Sequence, residues 1–297
     1  MDNNIRTILQ QVREYLPLVP DDPLTKVKVR TGWNQVDSRL ASREEKKNFA
    51  QRFSDLLALM VADKLRPTFP GILPMRNQDS GDIRSKAIRG VESLASSLKG
   101  VKRLDVNFST ERLGLGLGVS IKTLNFRDAK SRRYTKNVSR IDNELRAEAS
   151  DYHVRQPYAV LAAIVFLPRD CAFDAGEAVN THSSFGHACQ TLRYRTGRAD
   201  PSDSPELFEK VFVALYEAEA PETLGELVCF DVSNPPPKKG LPAQRLTFVE
   251  VLKAIEAAFF QRNVPKRIWE DTQESAVISE LEQIAESETD ETEGDDD

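Results

Sequence analysis

Five side chains in the middle of the chain have the chemistry to hold a cation and to stabilise negative charge. Asp105 lies in one predicted strand, RLDVNF, whereas Ser120 and Lys122 share a face of the next predicted strand, VSIKT. Glu144 and Glu148 follow one turn apart on a predicted helix. Carboxylates bind hard divalent cations and a lysine ammonium stabilises anionic charge, so such a set suits hydrolysis of a phosphate ester. This chemistry requires a fold that brings these distant residues together.

A strongly basic segment separates the two strands from that helix. The stretch RDAKSRRYTKNVSR carries six basic residues and one acidic residue, although the whole chain has a formal net charge of −5. Such cations can contact nucleic-acid phosphates without reading sequence, and Asn and Arg can also reach base edges. A solvated loop is the alternative. The predicted nucleic-acid contacts are Arg127, Lys130, Arg132, Arg133, Lys136, Asn137 and Arg140.

The elements that must position these residues alternate between helix and strand. DIRSKAIRGVESLASSLKG predicts a helix that ends at Gly100. VKRLDVNFS and LGLGLGVSIKTLNF then predict a hairpin leading into a central strand, in which Gly114, Gly116 and Gly118 permit either strand twist or close approach of DNA. VSRIDNELRAEASDYHV is a helical pattern, and YAVLAAIVFLP predicts a strand buried on both faces.

Helical periodicity dominates both ends of the chain. IRTILQQVREYL and REEKKNFAQRFSDLLALMVADKL predict helices, so residues 1–75 are expected to form a helical N-terminal extension. Towards the other end, LFEKVFVALYEAE is interpreted as a helix, LGELVCFDV as a strand and LTFVEVLKAIEAAFFQRN as an amphipathic C-terminal helix. The expected α/β domain spans residues 76–270, and the acidic residues 271–297 predict a disordered tail.

The predicted order of elements across residues 83–165 resembles the core of the PD-(D/E)XK nuclease superfamily. A helix, two hairpin strands, a third strand, a helix and a strand would form its restriction-endonuclease-like αβββαβ core, with a mixed central sheet. Asp105 occupies the position of the superfamily's first acid and Lys122 that of its lysine, whereas Ser120 stands where a second acid is expected. Some restriction endonucleases with Ser at that position take the carboxylate from the next helix, which here offers Glu144, with Glu148 as the reserve.

The resemblance implies a magnesium-dependent endonuclease that hydrolyses DNA, of the restriction or phage-defence type. Asp105 and Glu144 would bind Mg²⁺ or Mn²⁺, with Glu92 as a possible further ligand, and Lys122 would stabilise charge at the scissile phosphate. Cleavage of both strands of a duplex implies a homodimer. The departure at Ser120 leaves a second possibility, a catalytically inactive nuclease-fold protein that binds DNA or a protein partner in a defence complex.

Composition limits the compartment and the other kinds of site. No apolar run approaches the roughly 18 residues needed to span a bilayer, and the first residues do not resemble a secretory signal, so a cytoplasmic protein without a membrane partner is expected. Cys171, Cys189 and Cys229 are far apart and predict buried free thiols. His153 either lines the predicted site or packs internally.

Overall fold

The computed structural model describes residues 4–16, 41–75, 104–110, 114–128, 130–176 and 181–263 of the chain. Within these ranges a five-stranded mixed sheet lies between two layers of helices. None of the helices in the described ranges is long and apolar enough to cross a lipid bilayer. The helices are α1 (Arg6–Val12), α2 (Arg43–Leu65), α3 (Val138–Arg155), α4 (Ser184–Leu192) and α5 (Phe248–Arg262), and the strands are β1 (Val106–Thr110), β2 (Gly114–Thr123), β3 (Val160–Pro168), β4 (Lys210–Tyr216) and β5 (Leu227–Asp231). Short 3-10 turns cover Arg13–Tyr15, Thr135–Asn137, Arg169–Ala172 and Arg193–Arg195.

The strands follow one another across the sheet in the order β1-β2-β3-β4-β5. β1 and β2 form an antiparallel hairpin, β2, β3 and β4 run parallel, and β5 returns antiparallel to β4. Parallel neighbours need long crossover connections, which here contain α3 and α4. The register places Ser120 beside Ala163 and Lys122 beside Val165. The mixed sheet predicted from the sequence is confirmed.

Strand β3 is buried on both faces because apolar residues occupy consecutive positions along it. Every residue from Val160 to Pro168 is buried. Ile164 and Phe166 pack with α1, α2 and α5, whereas Val165 and Leu167 pack with α3 and α4. Continuous burial of this kind is typical of a central strand in a parallel sheet. The strand predicted at YAVLAAIVFLP is therefore confirmed, as is the burial of the three free cysteines.

The interpretation of LFEKVFVALYEAE as a helix is wrong, because this segment contains strand β4. Val211 to Tyr216 are all buried, since β4 lies between β3 and β5 in the interior of the sheet. The apolar spacing in this segment also fits a helix, but its unbroken run VFVALY is short and rich in β-branched and aromatic residues. Such runs favour a buried strand.

The predicted αβββαβ order also needs correction within the described residues. Two strands, not three, precede α3 there, because Gly114–Thr123 is one continuous strand of ten residues. β2 pairs with β1 on one side and with β3 on the other, so it is both the second hairpin strand and the expected central strand. The helix predicted before Gly100, with Glu92, and the tail at residues 271–297 lie outside the described residues.

Helix α2 shares its hydrophobic core with the sheet. It begins with a capping box, in which the Ser42 hydroxyl accepts from the Glu45 backbone N–H and the Glu45 carboxylate accepts from the Ser42 N–H. Phe53 packs edge-on against Tyr216 of β4 with 5.3 Å between ring centroids. Phe49 and Phe53 are completely buried. Helix α2, which is part of the predicted N-terminal extension, therefore covers one face of the sheet. The same sheet carries the candidate site.

Gly118 lies in β2, two residues before Ser120, at a position without space for a side chain. A Cβ atom there would lie 2.7 Å from Leu104 Cδ1 and 2.8 Å from Leu161 Cδ2. We expect Gly118→Ala to reduce the free energy of unfolding by about 1–3 kcal/mol, since overpacking forces side chains out of their preferred rotamers. Urea unfolding measures this. Leu161→Val should relieve one of these two clashes, so the double variant should lose less than the sum of the single variants; strict additivity would contradict the packing account.

Candidate active site

Three carboxylates and one lysine meet on the side of β2 that faces α3. Lys122 Nζ lies 2.5 Å from Glu148 Oε1 and 3.8 Å from Glu144 Oε2. Asp105 directly precedes β1 and interacts electrostatically with the same ammonium group. Its Oδ2 accepts a hydrogen bond of 2.8 Å from the backbone N–H of Ile121. The structure thus brings together Asp105, Lys122 and Glu144, three residues that the sequence named as a site.

The alternation of side chains along β2 explains why this cluster forms at α3. Ser120 and Lys122 point to the α3 side, whereas Ile121 between them packs into the core formed with α1, α2 and α5. Glu144 and Glu148 are four residues apart and therefore share a face of α3. The neighbouring apolar face of α3 is buried against the sheet through Val138, Ile141, Leu145 and Ala149.

Ser120 and Lys122 together hold the carboxylate of Glu148. The Ser120 hydroxyl donates to Glu148 Oε2, and the Lys122 ammonium donates to Glu148 Oε1. The sequence named Glu144 as the relocated acid and Glu148 as its reserve, but Glu148 makes the closer contact with Lys122. Helical spacing places both acids on one face and does not determine which lies nearer the strand. The sequence therefore names both acids but holds no signal that decides between them.

The surroundings of Lys122 keep its ammonium group charged. Burial lowers the pKa of Lys122, but the carboxylates of Glu148, Asp105 and Glu144 together raise it more, so the pKa lies above its ordinary value. The Lys122 side chain is 16% exposed and that of Glu144 is 40% exposed. The cluster is therefore partly shielded from water and opens to solvent at Glu144.

The donor set fits a hard divalent cation on chemical grounds. Mg²⁺ and Mn²⁺ prefer carboxylate oxygens, and Mg²⁺ usually keeps several waters, so few protein ligands suffice. Three carboxylates around one ammonium leave an excess of negative charge. Glu144 is held more loosely than Glu148, since its nearest cations, on Lys122 and Arg140, lie 3.8 and 3.6 Å away. Among the described residues, no group of three or more His, Cys, Asp or Glu is arranged as a metal centre.

Two arginines of the basic segment are half-buried and pair with acidic side chains. Arg127 Nη2 lies 2.5 Å from Asp170 Oδ2, and its guanidinium lies over the Tyr134 ring. Arg133 Nε lies 3.9 Å from Asp174 Oδ1. These contacts fix the loop after β2 against the segment that follows β3. The exposed members of the predicted nucleic-acid-binding set are Lys130, Lys136, Asn137 and Arg140, whereas Arg132 is half-buried.

Asp128 organises the exposed part of this loop. Its Oδ1 accepts hydrogen bonds from the backbone N–H groups of Lys130 and Ser131, and its Oδ2 lies 2.9 Å from Lys136 Nζ. The bond from Ser131 and the contact with Lys136 lower the pKa of Asp128 below its ordinary value. Arg140 Nε lies 3.6 Å from Glu144 Oε1, so the exposed cations continue up to the carboxylate cluster.

His153 packs internally, which is the second of the two roles that the sequence left open. It is 2% exposed, and its ring lies between the carbonyl of Pro205 and the carboxylate of Glu209. His153 therefore belongs to a different part of the molecule from Lys122.

Comparison of the chain with family models, with curated proteins and with solved structures finds no match. The functional proposal below is therefore based on the side-chain geometry and chemistry of this chain.

Proposed function

We propose that the protein is a magnesium-dependent endonuclease that hydrolyses DNA phosphodiester bonds, of the restriction or phage-defence type. The observation that carries this proposal is that Asp105, Glu144 and Glu148 surround the ammonium group of Lys122. They come from the residue before β1, from β2 and from α3. A partly buried lysine with a raised pKa among several acids marks a candidate functional site.

In this proposal each residue of the cluster has a separate task. Asp105 and Glu144 hold Mg²⁺ or Mn²⁺, which when bound activates water and neutralises negative charge on the phosphate. Lys122 donates a hydrogen bond to a non-bridging oxygen of the scissile phosphate, where negative charge develops in the transition state. Glu148, anchored by Ser120, keeps the Lys122 ammonium in position. Partial burial strengthens these charge interactions because the local dielectric is lower than that of water.

The exposed cations beside the cluster would position the DNA backbone. Lys136 and Arg140 are 72% and 67% exposed in their side chains, and Lys130 and Asn137 are also exposed. Because Arg140 contacts Glu144, a phosphate bound near Arg140 lies close to the proposed cation site. Cleavage of both strands would require two such sites, so the active species is proposed to be a homodimer.

Removal of the exposed cations should weaken DNA binding and its dependence on salt. Each lost phosphate contact reduces the magnitude of the slope of log K against log salt by about 0.9. A triple variant with Lys130→Ala, Lys136→Ala and Arg140→Ala should therefore have a slope smaller in magnitude by about 2 to 3. Fluorescence anisotropy with a duplex at several salt concentrations measures this slope. Lys253→Ala, on the exposed face of α5, is the matched control. A triple variant with the slope of the wild-type chain would show that the segment does not contact DNA.

A DNA-binding or partner-binding protein without catalysis is the second candidate. The contacts of Glu148 favour it, because both of its oxygens are bound by Ser120 and Lys122 and could form a purely structural ion pair. Incubation with supercoiled plasmid at constant ionic strength separates the candidates. The nuclease proposal predicts nicked and linear plasmid in Mg²⁺ or Mn²⁺ and neither product in EDTA. Plasmid binding without cleavage in either cation would favour the DNA-binding protein, and the absence of both would favour the partner-binding subunit.

A further inference from the structure

A charged cavity lies at the opposite ends of the parallel strands from the candidate active site. It has a volume of about 180 Å³ and lies where β4 begins and α5 ends. Its charged lining consists of Arg198, Lys210 and Arg262, which are cationic, and Glu209, which is acidic. The proposed nuclease activity makes no use of these residues.

Glu209 is the acidic group of this cavity, and both of its oxygens are already engaged. Oε2 accepts a hydrogen bond of 2.7 Å from the backbone N–H of Leu161 and lies 3.4 Å from His153 Nε2. Oε1 lies 3.0 Å from Arg198 Nη1 and 3.2 Å from Arg262 Nη1. One carboxylate is thus shared by two guanidinium groups, which leaves the lining with surplus positive charge.

Arg198 contributes a buried donor that lacks an acceptor. Its side chain is 1% exposed, and its two terminal nitrogens donate to Glu209 and to the carbonyl of Pro201. Its Nε is buried and has no hydrogen-bond partner in the part of the chain that the structure describes. Arg262 is also largely buried, with a side-chain exposure of 7%. Arg198 and Arg262 thus contribute two largely buried guanidinium groups to the lining of the cavity.

Three other acids near the cavity offset part of the positive charge of its lining. Lys210 Nζ lies 3.8 Å from Asp231, which offsets part of its charge but does not line the cavity, and the Lys210 side chain is 36% exposed. The exposed carboxylates of Asp200 and Asp203 both interact with Arg198, and Asp200 also interacts with Arg262, but neither acid lines the cavity and water screens exposed charges. The lining itself therefore presents donors and positive charge.

We propose that this cavity binds a small oxyanion of the phosphate class. Its volume is far above the roughly 10–15 Å³ that one water requires and below the roughly 300 Å³ at which pockets for drug-sized ligands begin. Arginine side chains suit such an ion because their planar donors match its oxygens. The ion could be free phosphate or a terminal phosphate of a nucleic acid, and the small volume of the cavity favours the free ion.

Titration calorimetry of the full chain with sodium phosphate tests the proposal, with sodium chloride at matched ionic strength as the reference. We expect one saturable site per chain, weakened at least about tenfold by Arg262→Met and by Lys210→Met, because each variant removes a lining cation. Arg193→Met, at an exposed position, is the matched control and should bind as the wild-type chain does. Circular dichroism verifies that each variant folds. If Arg262→Met does not fold, the affinity of Lys210→Met for phosphate tests the proposal.

Absence of saturable phosphate binding, or equal affinity in the wild-type chain and both lining variants, would overturn the proposal. A second titration with a 5′-phosphorylated and an unphosphorylated dinucleotide separates the two sources of phosphate. Weaker binding of both dinucleotides than of inorganic phosphate supports the free ion. Tighter binding of the phosphorylated dinucleotide alone would overturn that choice of source. None of these outcomes depends on nuclease activity.

Discussion

Lys122→Met is expected to lower the rate of DNA cleavage by about 10²–10³-fold, the usual effect of removing one donor to transition-state charge. The methionine side chain has a similar length but no ammonium group, so it cannot donate to the phosphate. Lys122 is only 16% exposed and is not one of the exposed cations that would bind the DNA backbone. DNA affinity should therefore change little. Single-turnover cleavage and anisotropy with the same duplex measure the two quantities.

Two controls separate a catalytic role for Lys122 from a structural one. Lys253→Met removes an exposed lysine on α5 and should cleave at the wild-type rate. If Lys122 serves only to neutralise Glu148, its variant should lose stability and cleavage in parallel, and urea unfolding would detect this. A Lys122→Met chain that folds normally and cleaves within about threefold of wild type would exclude our assignment, because the loss of a transition-state donor costs far more.

Asp105→Asn and Glu144→Gln should each raise the Mg²⁺ concentration needed for half-maximal cleavage by at least about tenfold. Loss of groups that merely support metal ligands typically costs about 10–100-fold in metal affinity, so loss of a ligand should cost no less. The asparagine oxygen at position 105 can still accept from the Ile121 N–H, so the local fold should persist. Cleavage rates across a Mg²⁺ titration at constant ionic strength provide the measurement.

Glu148→Gln is the matched comparison, because Glu148 lies on the same helix face but is bound by Ser120 and Lys122. If Glu148 positions Lys122, the maximal rate should fall while the Mg²⁺ requirement stays within about threefold of wild type, since no metal ligand is lost. A shift in the Mg²⁺ requirement as large as that of Glu144→Gln would instead identify Glu148 as a ligand.

Elements whose signals are local were predictable from the sequence. The apolar periodicity and capping box of α2 lie within a few residues of one another, and REEKKNFAQRFSDLLALMVADKL is a helix along its whole length. The run YAVLAAIVFLP is too short for a buried helix of ordinary length and is a strand. The meeting of Asp105, Lys122 and Glu144 was expected from the resemblance to the nuclease superfamily rather than from any local signal.

Features that depend on distant partners could not be read from the sequence. VFVALY fits two periodicities, and only its place between β3 and β5 decides in favour of a strand. Arg127 belongs to a basic segment, but it pairs with Asp170, which lies in the turn that follows β3. Arg127 is therefore not an exposed cation. The choice between Glu144 and Glu148 depends on the rotation of α3 against β2. Each of these outcomes is set by tertiary packing rather than by local pattern.

Binding of Mn²⁺ to the chain in the absence of DNA tests most directly whether the carboxylate cluster holds a cation. Electron paramagnetic resonance counts free Mn²⁺ during a titration, and competition with Mg²⁺ establishes that both ions use one site. Our account predicts one Mn²⁺ per chain at this site, lost in a double Asp105→Asn and Glu144→Gln variant and retained in Lys253→Met. No binding by the wild-type chain, or binding of equal affinity by the double variant, would contradict it.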